Sequence, residues 1–126
     1  MAVQLFAAID VGSFELELGI YEISGKNGVR RVDHIRHMIA LGKETYSEGK
    51  ISYDLVEEMC QVLEDFVKTM NGYKVKGYRA YATSAMREAK NNQIILDQIR
   101  VRTGLKVRII SNSEQRFISY KAIASK

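Results

Sequence analysis

The chain has 126 residues, 46% of them hydrophobic and 27% charged, with a formal charge of +4. These are the proportions of one ordinary globular domain, long enough to bury a real core. They exclude a membrane helix, because no apolar run approaches about 18 residues, and an internal disulfide or thiolate metal cluster, because Cys60 is the only cysteine.

The N-terminal stretch MAVQLFAAID has neither a basic leader nor a cleavage site, so the expectation is a cytoplasmic protein with no membrane partner. The net charge hides an asymmetry. Residues 1–72 hold 7 Lys/Arg against 12 Asp/Glu, and residues 73–126 hold 12 against 3. A basic half can attract a polyanion. It lacks the interleaved aromatic platforms of a single-strand binder, so nucleic acid is not an expected partner.

In chain order, LFAAI (5–9) reads as a strand buried on both faces. Phe14, Leu16, Leu18 and Ile20 then recur every second residue, the period of a strand with one buried face. Between them DVGS (10–13) is expected to be a tight turn, with Gly12 supplying backbone freedom. Asn27-Gly28 marks a second hairpin turn, and a third strand is expected over roughly 29–41. LGKETYSEGK (41–50), polar and with two glycines, reads as a loop. Ser52 caps an expected helix whose apolar stripe runs through Leu55, Met59, Val62, Phe66 and Met70, with Asn71-Gly72 ending it. Cys60 sits near that stripe as a small packing residue. A strand follows over roughly 75–83, and small residues in ATSAMREA (82–89) allow a tight turn after it. Next come a helix from Asn91 or Asn92 to Gly104, a strand over 105–110 and a last helix capped by Ser113.

The connections fix a sheet. Three strands joined by hairpins pair in sequence, whereas strands reached through helical crossovers lie parallel to the first. The expected fold is therefore α/β, a mixed five-stranded sheet of order 3-2-1-4-5 with helices on its faces. Strand 1 is central, and its C-terminal end meets the ends of strands 4 and 5, where open sheets place ligands. Three stretches converge there. Asp10 can hold a divalent cation directly or through water, and the turn containing Gly12 and Ser13 can receive phosphate oxygens. Arg87 can present a planar fork to phosphate. Glu114 can orient a water or take its proton. Taken singly, each has an ordinary structural explanation: a plain Asp-x-Gly turn, a surface ion pair, an acid at a helix start. Together they are the parts for metal-assisted hydrolysis of a phosphoanhydride.

Four segments carry a family resemblance: AIDVGS (8–13), LGKETYSEGKIS (41–52), AYATSAMREAKNN (80–92) and TGLKVRIISNSEQR (103–116). In order and spacing they resemble the N-terminal half of the exopolyphosphatase / guanosine pentaphosphate phosphohydrolase family. The strongest is close to that family's Ala-Thr-Ser-Ala-x-Arg-x-Ala-x-Asn. The resemblance implies a ribonuclease H-like fold of the actin, sugar-kinase and heat-shock ATPase superfamily. It makes residues 1–126 a single N-terminal domain, its second domain lying outside the chain. It implies removal of terminal phosphate from inorganic polyphosphate or guanosine pentaphosphate (pppGpp) with Mg²⁺, in a full-length parent that can be a homodimer.

It also implies roles: Asp10 beside the metal, Gly12, Ser13 and Arg87 on phosphate, and Glu114 activating or positioning the attacking water. The chain departs from the family pattern at Phe14, Glu15 and Glu17, where polar or basic residues are usual, and at Asn112 and Gln115 in the last motif. A further carboxylate beside phosphate costs on the order of 1 kcal/mol. The family's second phosphate loop belongs to the other domain. The chain alone is therefore expected to be inactive, and a non-catalytic anion- or partner-binding relative is the alternative.

Overall fold

A computed structural model of the chain describes residues 3–25 and 28–111. The first hairpin joins β1 (Gln4–Val11) to β2 (Glu15–Ser24), and β3 (Gly28–Met38) adds antiparallel to β2. Two helices follow, α1 (Leu41–Glu48) and α2 (Tyr53–Tyr73). Then come β4 (Gly77–Ala82), α3 (Ser84–Glu88), α4 (Asn92–Thr103) and the two-residue β5 (Arg108–Ile109). The sheet order is β3-β2-β1-β4-β5, with β4 parallel to β1 and β5 parallel to β4, as the connections require. The expected last helix lies outside the described residues.

Period-two patterning builds the core. Ile9 and Val11 of β1, Leu16, Leu18 and Ile20 of β2 and Ala80 and Ala82 of β4 are buried. α2 covers them with Val56, Met59, Leu63, Phe66 and Met70, and Cys60 packs among these, fully buried. Each such aliphatic or aromatic side chain contributes roughly 1.5–3 kcal/mol by leaving water. Phe14 does not belong to this set. It lies in the turn and is 56% exposed, because the β1–β2 ladder closes at Val11 opposite Leu16 and leaves residues 12–14 as the connection. Asp10 is likewise a strand residue, paired with Glu17, rather than part of the turn.

Several ends differ from the sequence reading. α2 runs past Asn71-Gly72 to Tyr73 and stops at Lys74, whose left-handed φ of 56° lets its N–H reach the carbonyls of Met70 and Asn71. Gly104 ends α4 as expected, with φ 79°. The strands expected at 75–83 and 105–110 are shorter than their apolar runs, since pairing begins only at Gly77 and Arg108.

The main correction is α1, read as a loop from its glycines and polarity. Gly49 is not a breaker but the C-cap, with φ 78° and its N–H donated to the Thr45 carbonyl at 2.8 Å. Gly42 permits close packing. Eight residues do not make a stable helix alone; docking holds this one, through buried Leu41, Gly42 and Thr45 and packing against α3. The Ser52 side chain caps α2 by accepting from Leu55 N–H, and its own N–H goes to Glu44 Oε1 of α1 at 2.6 Å. Asn91 doubles the tie: its side chain donates to the Ile51 carbonyl at 2.9 Å and accepts from the Ile51 N–H at 3.2 Å. Arg102 of α4 reaches Glu57 and Glu64 of α2 at 2.7 and 2.8 Å, a part-exposed brace worth at most about 1 kcal/mol per pair.

Thr45 carries a cost. Its Oγ1 is buried and finds no hydrogen-bond partner among the described residues. Leaving a hydroxyl dry and unpaired costs about 1–3 kcal/mol. Thr45→Val keeps the shape and removes that group, so its urea midpoint is expected to rise. A fall would mean that the hydroxyl is satisfied in solution.

Candidate functional site

Three segments meet at the C-terminal ends of β1 and β4: the 12–14 turn, α1, and the start of α3. Their side chains line an open hollow of about 670 Å³. Asp10 lines it from the end of β1, Gly12 and Ser13 from the turn, Thr83 from the end of β4 and Ser84 from the start of α3. Tyr46 of α1 and Glu15, Arg36 and Met38 of the neighbouring strands complete it, with Phe14 at the rim.

Gly12 does not adopt a left-handed conformation, so backbone freedom is not what the turn demands of it. A Cβ there would lie 3.1 Å from the Glu15 carbonyl oxygen, the atom to which the Gly12 N–H donates at 3.0 Å. Glycine is needed for closeness, and its amide is already used in closing the turn. The Ser13 carbonyl accepts from Gly42 N–H at 2.7 Å, which seats the first turn of α1 on the loop. One helical turn later Tyr46 comes back to the same residue, its hydroxyl 3.2 Å from Ser13 Oγ. Ser84 Oγ lies 2.6 Å from the Tyr46 hydroxyl and 3.1 Å from Ser13 Oγ.

The charges are mostly acidic. Asp10 remains exposed, yet the protein around it removes enough water to push its carboxyl above the usual range, and Glu17 and Glu15 push the same way. Glu15 is held below the usual carboxylate range by the adjacent Glu17 carboxyl and by Arg36. Arg36 is committed to Glu15, with Nε at 2.9 Å and Nη2 at 2.6 Å from Oε2. Glu17 also meets His34 Nε2 at 3.3 Å.

Arg87 is close by in the fold but does not line the hollow. It donates from Nη1 to the Ile110 carbonyl at 2.8 Å, so it ties α3 to the end of β5. Glu114, with Asn112, Ser113 and Gln115, lies outside the described residues. Sequence reasoning missed Tyr46 and the side-chain role of Ser84. The one available signal was Leu41 and Thr45 four apart with Gly49 four residues further on, a short helix with a C-cap.

The described residues include no group of three or more His, Cys, Asp or Glu able to hold a metal ion. Asp10, its carboxyl raised by desolvation and by Glu17 and Glu15, does fit Mg²⁺, which keeps most of its waters and is held by one or two carboxylates plus substrate phosphate. No helix among the described residues is long and apolar enough to cross a membrane.

Sheet order, parallel crossovers and a site at the strand ends define a ribonuclease H-like domain of the actin-like class. The model of the Ppx/GppA phosphatase family matches residues 20–126, and the chain belongs to that family. It is similar to the crystal structure of the Aquifex aeolicus Ppx/GppA family member, with a TM-score of 0.93 and 29% identity. That match covers 98% of this chain and 40% of the other. Exopolyphosphatase 1 of Mycobacterium bovis is 23% identical over 115 residues, 91% of this chain and 33% of the relative. The guanosine-5'-triphosphate,3'-diphosphate pyrophosphatase of Photobacterium profundum is 27% identical over 121 residues, 95% of this chain and 24% of the relative. The chain thus spans about a third or less of the length of these curated relatives.

Proposed function

We propose that this chain is the N-terminal domain of a phosphohydrolase that cleaves terminal phosphoanhydrides, of inorganic polyphosphate or pppGpp, with Mg²⁺. The observation that carries the reading is the hollow at the ends of β1 and β4, where Asp10, the Ser13 turn and Ser84 meet in a family of phosphatases. Asp10 holds the metal. When bound, Mg²⁺ supplies positive charge against the phosphoryl oxygens and offsets the surrounding carboxylates. Ser13 and Ser84 donate to phosphate. Arg87, held on the Ile110 carbonyl outside the lining of the hollow, adds positive charge from the α3 side without touching the phosphoryl group, and Glu114 orients the attacking water and accepts its proton. Phosphoryl transfer needs charge stabilisation from several sides and exclusion of bulk water, so a second domain closes the other side of the cleft. The chain by itself binds and does not turn over.

The test is phosphate release from polyphosphate or pppGpp with Mg²⁺, by the longer protein in which this domain is paired with its second. Glu114→Gln is expected to lower kcat by about 10²–10⁴. Equal rates for the two proteins, or no release from either substrate, would remove the catalytic assignment. A second reading, a non-catalytic anion-binding relative, is favoured by Glu15 holding Arg36 at the hollow and by exposed Phe14 at its rim. Binding without release by that longer protein is its signature.

A further inference from the structure

Ser13, Tyr46 and Ser84 stand in a closed triangle of hydroxyls, with edges of 2.6, 3.1 and 3.2 Å. They come from three separate segments, 33 to 71 residues apart in the chain, and all three line the hollow. Each hydroxyl has one proton and two lone pairs. In the triangle the three protons can serve the three mutual contacts. A rotation about each C–O bond is enough to turn them outward, with no heavy atom moving. The donor set is therefore built and held in place before any ligand arrives.

We infer that Tyr46 is a third phosphate-binding hydroxyl, completing with Ser13 and Ser84 a neutral cradle for one terminal phosphoryl group. The inference rests on the phosphohydrolase reading and adds to it a residue and a ligand form. Two observations favour it. The Tyr46 ring is seated against Gly42, where a Cβ would come within 3.1 Å of its Cε2, so the hydroxyl is fixed by backbone packing although the residue is 55% exposed. Arg36, the cation in the lining, is already paired with Glu15, so neutral donors carry the contact with the anion. A cradle of uncharged donors beside Asp10 and Glu15 repels bare phosphate. It accepts phosphate whose charge is offset by a bound cation.

The experiment is an NMR titration of the whole chain with inorganic tripolyphosphate, with and without Mg²⁺, and with Mg²⁺ alone. The unsubstituted chain is expected to bind tripolyphosphate only when Mg²⁺ is present, with amide shifts centred on Ser13 and Ser84. Tyr46→Phe keeps the ring on Gly42 and removes one donor, so its Kd for the Mg²⁺ complex is expected to rise about three- to tenfold. Its Kd for Mg²⁺ alone and its melting temperature are expected to stay unchanged. Unchanged affinity of Tyr46→Phe for the Mg²⁺ complex overturns the role of Tyr46 and leaves the phosphohydrolase reading standing. Equal weakening toward Mg²⁺ alone shows a merely structural hydroxyl and overturns it too. Tighter binding of tripolyphosphate without Mg²⁺ overturns the neutral cradle. Absence of any binding by the unsubstituted chain overturns the phosphohydrolase reading itself.

Discussion

Asp10→Asn is expected to raise the melting temperature at pH 7 in metal-free buffer and, in the same protein, to abolish stabilisation by Mg²⁺. The first effect follows from burial and charge. Desolvation, then Glu17, then Glu15 raise the Asp10 carboxyl above its ordinary value of 3.8, so the folded chain holds that proton more tightly than the unfolded chain does. The stability this contributes is fully present below 3.8 and is lost as the pH rises through the higher folded value. At neutral pH the ionised carboxylate therefore opposes folding, and a neutral isostere relieves it. Below 3.8 both side chains are uncharged and the advantage of asparagine should vanish. The second effect follows from linkage: a cation that binds only the folded state stabilises it, and asparagine removes the negative ligand. Melting curves across pH, with and without Mg²⁺, check both. A uniform destabilisation at every pH would show that the Asp10 carboxylate is a structural acceptor and not a strained ligand.

Gly42→Val is expected to be the most damaging single change near the hollow. An ideal Cβ on Gly42 would stand 2.9 Å from Ser13 Cβ and 3.3 Å from the Ser13 carbonyl oxygen. Neither neighbour is the free end of a flexible side chain, so α1 must lift away from the turn. That stretches the 2.7 Å bond from Gly42 N–H to Ser13 and withdraws Tyr46 from its two serines. Overpacking of this kind costs about 1–3 kcal/mol. Gly72 provides the control. It lies inside α2 with ordinary helical φ and nothing within 4 Å of a would-be Cβ, so Gly72→Ala should stabilise by about 0.5–1 kcal/mol. Urea midpoints that move the same way for both would contradict the docking of α1.

What could be read from the sequence was whatever local periodicity and connection rules determine. Leu16, Leu18 and Ile20 announce their buried face by spacing alone, and hairpins followed by helical crossovers leave little freedom in strand order. Phe14 was assigned to the same face because it keeps the period. The ladder, however, ends at Leu16, two residues short of it, and no pattern reports where a ladder ends. α1 escaped because its stability is tertiary: two glycines that look like breakers serve as a contact surface and a cap. Asp10, Gly12 and Ser13 line the strand-end hollow, whereas Arg87 is outside its lining and holds the Ile110 carbonyl. The Tyr46–Ser84 pairing spans 38 residues of chain and exists only once α1 and α3 are packed together.

The double hydrogen bond between Asn91 and Ile51 has a mechanical corollary. It locks the segment between α1 and α2 to the segment between α3 and α4, while Asn92 Nδ2 donates to the Met86 carbonyl at 3.1 Å. Gly42 and Glu44 fasten α1 to Ser13 and to Ser52. None of the segments that carry the hydroxyls is left as a hinged flap. On the phosphohydrolase reading proposed above, enclosure of a guest is then expected from rigid-body approach of a second lobe rather than from closure of these segments.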